Sequence, residues 1–390
     1  MRIAFISVHG CPEFQPGTKD AGGMNLYVLK LTSELAKSGY QIDIFTRRHE
    51  SEEAAVSNID DNVRLVHIDA GPVDASKEEL HDYESEFLAG VDNFQKEDEI
   101  RYKLIHSHYW LSGSVGELLA SRWQVPHVTT FHTMADIKSR AMGVNDESLS
   151  RDAIERKIAS EVDCIIASTS DEQRLLMSLY HVDPGKIRVI PIGVDLEMFQ
   201  PGNKKDARSR LGLGDIDTVL FVGRPDAIKG LEIVLQALTY VSPPTILKLL
   251  VIGDNLGYEG FIEDLDLSGM VELIGTRDHQ LMPLYYQASD VCIVPSYYES
   301  FSMVALEAMA CGVPVIASKV GGLQTVVQDG RTGFLVSNQS SREFAIKVDT
   351  LLRDRSLRTL FGYQSRQVAE DFGWEGMALA VAETYRELVH

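Results

Sequence analysis

Short apolar runs alternate along this chain with longer stretches in which apolar residues recur every three or four positions. Apolar runs bounded by turn residues read as buried strands, and the longer spacing reads as amphipathic helix. In the first half the strand pattern falls at residues 2–8, 41–46, 63–68, 104–108, 127–131, 164–167 and 187–190, with helical patterns at 24–37, 112–123 and 152–160. The second half repeats the theme with strands at 218–222, 247–252, 271–274, 291–294 and 315–317, and residues 331–336 stand apart from the series. Strand and helix in alternation predict a parallel sheet covered by helices. Mid-chain, the Pro- and Gly-bearing stretch from Pro191-Ile192-Gly193 to Pro201-Gly202-Asn203 interrupts the alternation and predicts a linker. The expectation is an α/β protein of two doubly wound domains, residues 1–195 and 196–373, facing a central cleft with ligands at the strand carboxyl ends. Residues 374–390 place Met377, Val381, Tyr385 and Leu388 at helical spacing and are expected to pack back on the first domain.

Composition narrows the function. A chain of 390 residues suits two cores. No apolar run is long enough to span a bilayer. Met1-Arg2-Ile3-Ala4-Phe5-Ile6 reads as a first strand rather than a signal peptide, so a cytoplasmic setting is expected. A net charge of −20 repels nucleic acid and anionic lipid, which leaves any anionic substrate to a local cluster of cations and helix ends. The acidic stretch between Glu50 and Glu99 reads as a solvated face. Cys11, Cys164, Cys292 and Cys311 form no C-x-x-C and read as buried thiols.

Candidate chemistry collects at predicted strand ends. After residues 291–294 come Glu299 and Glu307 in an E-x7-E spacing, with a helix expected to start at about Ser302. That context sets Glu299 in a loop, where it can hold a sugar, and Glu307 on the helix, where it can accept hydrogen bonds from ribose hydroxyls. The amides of Ser300, Phe301 and Ser302 face a phosphate at the helix start. Gly223-Arg224 and Lys229-Gly230 leave one strand end together, and a guanidinium and an ammonium there suit a diphosphate. Arg277 stands at another strand end. Gly22-Gly23 opens a helix and lets backbone approach a phosphate, yet it is no G-x-G-x-x-G, so a nicotinamide dehydrogenase is disfavoured. His106, His108 and His132 lie near strand ends. His106 and His108 share a face, but spacing supplies no third ligand, and no metal site is expected. Asp215-Ile216-Asp217 precedes a strand and reads as loop.

As a set, Gly22-Gly23, His132, Gly223-Arg224, Lys229-Gly230, Glu299-Ser300-Phe301 and Glu307-Ala308 resemble a retaining glycosyltransferase of family 4, with two Rossmann-like domains in the GT-B arrangement. The N-terminal half is most similar to the mycothiol-type transferases, which join N-acetylglucosamine to an inositol phosphate. Gln15-Pro16-Gly17, Asp20-Ala21-Gly22-Gly23-Met24-Asn25, Ser76-Lys77-Glu78 and His106-Ser107-His108-Tyr109-Trp110 carry that likeness. It implies that Lys77, Tyr109, Thr133 and Arg151 grip the acceptor phosphate and that Asn25 touches the acceptor ring. It also implies a possible homodimer.

The same resemblance makes His132, Arg224, Lys229 and Glu299 catalytic, with Gly22, Gly23, Gly223, Arg277, Ser300, Phe301, Ser302 and Glu307 at the donor. The UDP-sugar is then a co-substrate, and neither cofactor nor metal is required. Sucrose-phosphate synthases are the runner-up, although Met24-Asn25 stands where they usually carry Gln after the paired glycines. A UDP-sugar 2-epimerase is a more distant alternative of another reaction class, and a non-catalytic sugar-nucleotide sensor another. Two departures from the mycothiol pattern are a shorter Gly253-Asp254-Asn255 loop and Ser302 in place of a common Gly.

Overall fold

The computed structural model describes residues 1–13, 22–143, 149–224, 226–241, 247–254, 257–337 and 339–389. Gln15-Pro16-Gly17, Asp20-Ala21 and Asn255 of the motifs above lie outside the described residues. The chain divides into two compact units. One holds the described residues up to Pro191 together with the stretch from Trp374 onward, and the other is Ile192–Gly373.

In the first unit β1 (Arg2–Ile6), β2 (Gln41–Arg47), β3 (Val56–Asp60), β4 (Val63–Ile68), β5 (Leu104–His108), β6 (His127–Thr130), β7 (Cys164–Ala167) and β8 (Ile187–Val189) form one sheet. Its order is β3-β4-β2-β1-β5-β6-β7-β8. Only β3 runs antiparallel, against β4. No strand was expected there, because Val56-Ser57-Asn58-Ile59-Asp60 is mostly polar and never fully buried. A polar strand suits an edge, where unpaired backbone would otherwise recruit another chain. β5 is the opposite case: every residue of Leu104-Ile105-His106-Ser107-His108 is buried, so its polar side chains must find partners inside.

The second unit sets β9 (Asp217–Val222), β10 (Leu247–Ile252), β11 (Val271–Gly275), β12 (Val291–Val294), β13 (Val315–Ser318) and β14 (Gly333–Val336) in an all-parallel sheet of order β11-β10-β9-β12-β13-β14. β14 falls within the residues that the sequence pattern set apart. It is short and opens on a glycine, so it carries little strand signal of its own and is completed by pairing with β13. Alternation along the strands fills a core on each face. Val219 and Phe221 join Phe344 and Leu351, while Leu220 joins Tyr286, Phe301 and Met309 on the other side. Each fully buried side chain of that size stabilises the fold by about 1.5–3 kcal/mol.

The C-terminal helix Trp374–Leu388 packs on Gly23–Lys37 within the first unit. Tyr40 Oη donates to Ala382 O at 3.4 Å, and Tyr385 Oη lies 2.6 Å from His106 Nδ1. In the second unit Val194 N donates to Phe372 O at 2.7 Å, so the chain entering that unit runs beside the chain leaving it. No helix among the described residues is long and apolar enough to cross a membrane.

Candidate active site

Both sheets reverse their winding at one gap, β1/β5 in the first unit and β9/β12 in the second. Loops leaving such a gap diverge and leave room for a ligand at the strand carboxyl ends.

At β1/β5 the loop after β1 brings His9 to within 4.6 Å of the Tyr109 ring, centroid to centroid. Lys77 Nζ stands 4.2 Å from the same ring centre and the Arg151 guanidinium carbon 4.9 Å from it. Arg151 also donates to Thr133 O at 3.1 Å and to Thr133 Oγ1 at 3.3 Å. Its Nε binds Glu155 Oε1 at 2.7 Å, and Glu155 Oε2 accepts from Ala135 N and Tyr180 Oη. Burial pushes the Glu155 carboxyl up, and the Arg151 charge opposes that shift. Lys77, Tyr109, Thr133 and Arg151, scattered over the sequence, thus converge. Two cations beside a phenol and a hydroxyl are groups that can pair with a small anion.

His9, the residue just past the strand pattern at 2–8, belongs to this group as well. Its Nδ1 is shut away from water and has no hydrogen-bond partner among the described residues. Burial first, then the neighbouring Lys77, His132 and Arg151, hold its pKa well below the usual histidine value. A neutral imidazole with an unmet ring nitrogen is ready to bond an incoming oxygen. Its place as the first polar residue beyond residues 2–8 is the one signal that could have singled it out.

At β9/β12 the meeting groups are charged. Lys229 Nζ donates to Glu299 Oε1 at 2.7 Å, and Ser296 Oγ donates to the same oxygen at 2.9 Å. Backbone holds the pair in register. Tyr297 N donates to Ile228 O at 2.8 Å, and Gly230 at φ +69° lies so close to the β12 exit that a Cβ would stand 2.4 Å from Pro295 O. Only glycine fits that crossing. Ser302 caps the helix Met303–Ala310 through Ala305 N, and Glu307 follows on that helix. Glu307 is buried, with Oε1 2.8 Å from His279 Nε2 and Oε2 accepting from Tyr286 Oη at 2.9 Å. His279 was not foreseen, because it reaches Glu307 from the far side of the sheet order, after β11. Arg224 is exposed at the β9 exit.

The comparisons with known proteins fit this geometry. Residues 21–198 match the family model described as Glycosyltransferase Family 4, and residues 203–368 match the one described as Glycosyl transferases group 1. The D-inositol 3-phosphate glycosyltransferase of Kineococcus radiotolerans is 39% identical, covering 100% of this chain and 95% of the relative. The chain belongs to glycosyltransferase family 4. A second relative, the D-inositol 3-phosphate glycosyltransferase of Corynebacterium glutamicum, is 36% identical over 100% of this chain and 97% of its own length. Among solved structures, sucrose-phosphate synthase from Thermosynechococcus elongatus superposes with a TM-score of 0.93 at 35% identity, covering 99% of this chain and 98% of its own. The two parallel-sheet units of this glycosyltransferase are those of the GT-B fold.

Among the described residues of the glycosyltransferase, three other than glycine adopt positive φ in the segments after strands at these sites: Tyr109 (75°) after β5, His132 (60°) after β6 and Ser302 (103°) after β12. Such backbone costs about 1–3 kcal/mol each and is held by its surroundings. His132 leads a buried network: its Nε2 lies 3.1 Å from His108 Nδ1, and Tyr27 packs edge-on at 5.1 Å. Loss of water around the ring lowers its pKa to about 3. His106 is held by Tyr385 Oη and by Thr130 Oγ1 at 2.9 Å, while the buried His108 Nε2 has no hydrogen-bond partner among the described residues.

Other expected residues are placed as follows. Asn25 is buried and donates to Cys11 O at 2.8 Å, which makes it a brace for the loop after β1. Gly22 caps the helix Gly23–Lys37, and a Cβ there would meet nothing within 4 Å among the described residues. Gly223 closes β9 against β10 through Ile252 O. Arg277 is exposed and donates to Tyr285 Oη and Thr276 O. The Phe301 ring is buried in the core. Asp215 and Asp217 line a cavity of about 880 Å³ with Lys204, Arg208 and Arg358, at the amino ends of the strands and away from this chemistry.

Proposed function

We propose that this glycosyltransferase moves a hexose or N-acetylhexosamine from a UDP-sugar to a small phosphorylated acceptor, D-inositol 3-phosphate or a close analogue, in the cytoplasm. The observation that carries this reading is the convergence of Lys77, Tyr109, Thr133 and Arg151 on one point of the first unit. A phosphate there gains two cationic partners and two hydroxyls, with His9 as a further donor. The names of the full-length relatives point to the same acceptor.

On the donor side, Lys229, Arg224 and the amides after Glu299 take up charge on the diphosphate as the anomeric bond breaks, the largest catalytic contribution expected. Glu299 holds sugar hydroxyls. Glu307, kept in place by His279 and Tyr286, retains acceptor capacity on both oxygens for ribose hydroxyls. The new bond forms on the face from which the diphosphate departs, and a phosphate oxygen of that leaving group takes the acceptor hydroxyl's proton. Configuration is retained. Neutral His132 orients the donor by hydrogen bonding. On this reading no step calls for a metal or a resident cofactor, since Lys229 and Arg224 supply the positive charge.

A second reading has its own support: the 35% identity to a sucrose-phosphate synthase favours fructose 6-phosphate as acceptor. Both acceptors carry a phosphate, and the ring beyond it separates them. Mass spectrometry of the enzyme given pooled UDP- and GDP-sugars with inositol 3-phosphate and fructose 6-phosphate in competition decides. A glycosyl inositol phosphate is the expected product. Sucrose phosphate alone overturns the acceptor, and conversion of a UDP-sugar to its epimer without an acceptor overturns transfer.

A further inference from the structure

Beside the acceptor-side loop, four metal-binding side chains point at one another. Cys11 follows β1, His49 and Glu53 lie in the connection from β2 to β3, and His67 is on β4. The donor atoms of Cys11, His49 and His67 all lie within 4.8 Å of one another. His49 Nε2 is 2.7 Å from Glu53 Oε1, His67 Nε2 is 3.7 Å from that oxygen, and Cys11 Sγ is 3.9 Å from His67 Nε2. Ligand atoms around a tetrahedral zinc ion stand roughly 3.3–3.7 Å apart, given bonds of about 2.0–2.3 Å. We propose that Cys11, His49, Glu53 and His67 form a structural zinc site that fastens the β1 loop to the β2 and β4 strand ends.

The second contacts of these ligands carry the inference further than proximity does. His67 Nδ1 faces Ala54 O at 2.8 Å, and His49 Nδ1 faces Arg47 O at 3.4 Å. With Nδ1–H donating to the carbonyl, each ring turns its Nε2 into the cluster. This is how metal-bound imidazoles are oriented. The proton that joins His49 Nε2 to Glu53 Oε1 at 2.7 Å in the metal-free protein is the one an incoming ion displaces. Glu53 Oε2 accepts from His49 N at 3.0 Å and Glu50 N at 3.2 Å, which turns Oε1 inward. The Cys11 carbonyl is braced by Asn25. Four electron-pair donors therefore share a mostly closed space, with Cys11 and His67 at most 5% exposed. One divalent ion neutralises the thiolate and carboxylate and satisfies both imidazoles together. Thiolate with imidazole selects zinc over magnesium or calcium, and four protein ligands make a closed site rather than a catalytic one. Burial raises the thiols of Cys164, Cys292 and Cys311 and marks them as inert; Cys11 alone has two imidazoles beside it. The site also bears on acceptor binding, since the same loop carries His9.

The test uses the full chain, stripped with a chelator and titrated with zinc alone. The expected result is about one tightly held zinc per chain by elemental mass spectrometry. Cobalt in its place should show tetrahedral visible bands and a near-ultraviolet thiolate charge-transfer band. Cys11→Ser should lose that band and most of the zinc, His67→Gln most of the zinc, and Cys164→Ser neither. A wild-type chain that holds no zinc and shows no thiolate band overturns the site, as does a band that survives Cys11→Ser. Should the variants fail to fold, the wild-type cobalt spectrum and a zinc-dependent rise in its thermal midpoint decide the matter alone.

Discussion

Between β1 and β5 the first unit sets two aromatic rings against each other, His9 and Tyr109, with Lys77 and Arg151 around them. Between β9 and β12 the second unit sets an ion pair, Lys229 to Glu299, with a hydroxyl on the carboxylate. The sheets wind alike, and the gap lies at the same topological place. What differs is how each keeps polar groups at a strand end that water only partly reaches. The first unit does so with neutral imidazoles, in a buried network of His106, His108, Tyr385 and Thr130. The second does so with full charges that neutralise one another. With Arg151 paired to Glu155, a neutral lining still leaves the charge of Lys77 to attract an anion. A paired lining gives charge only when a ligand displaces one partner, which suits a group that must meet charge as it develops.

The largest effect should come from breaking the ion pair. Lys229→Ala should lower kcat about 10²–10³-fold, the usual consequence of removing one group aimed at developing charge. The fold should persist, because Glu299 keeps the Ser296 hydroxyl. Steady-state kinetics beside circular dichroism checks both parts, and an unchanged kcat removes Lys229 from the diphosphate. Lys77→Ala tests the other gap and should act differently. A charge-assisted bond made equally in ground and transition states is worth about 1.5–3 kcal/mol, so the acceptor KM should rise roughly 10- to 100-fold with kcat nearly constant. A fall in kcat instead would place Lys77 at the reacting centre and dissolve the contrast.

Acid should separate the units next. His9, His106, His108, His127 and His132, all in the first unit, have pKa values lowered chiefly by burial, to about 3 for His127 and His132. In the unfolded chain they titrate near 6.5, so between there and the folded values the unfolded state binds more protons. Stability is therefore full above about pH 6.5 and falls as pH drops below it, by up to about 1.4 kcal/mol per pH unit for each group. Hydrogen exchange at pH 5 should show β5 and β6 losing protection before β9 and β12. Equal loss in both sheets would show that the histidine network carries no special acid sensitivity.

Much of this contrast is legible in the sequence, because it rests on which residues leave which strand. The strand patterns put Lys229 and Glu299 near strand ends without a structure, whereas Tyr109 and Thr133 enter through the family resemblance. His9 and His279 escape because their partners come from distant elements, and only the pairing of β1 with β5 and the approach of the residues after β11 to Glu307 bring them in. The cluster of Cys11, His49, Glu53 and His67 escapes for the same reason. Glu53 reads as one more charge in an acidic stretch until the β2–β4 pairing turns its carboxylate inward. β3 and β14 are hidden by composition, being polar at one edge and short at the other.

The smallest expected effect concerns Ser302, and it tests whether the second gap is held by strain as well as by charge. At φ 103° a residue with a Cβ is strained by about 1–3 kcal/mol, which Gly would relieve. The same substitution removes the hydroxyl that caps the helix at Ala305 N, a contact whose loss to Gly costs only a few tenths of a kcal/mol. Relief should win, and Ser302→Gly should raise stability by about 1 kcal/mol. Ser302→Ala keeps the strain and loses the cap, so it should lower stability by about 1 kcal/mol. Chemical denaturation of the two variants side by side reads the sign directly. If both destabilise, the cap outweighs the strain, and the conformation after β12 is held by the serine itself rather than imposed by Glu299 and its partners.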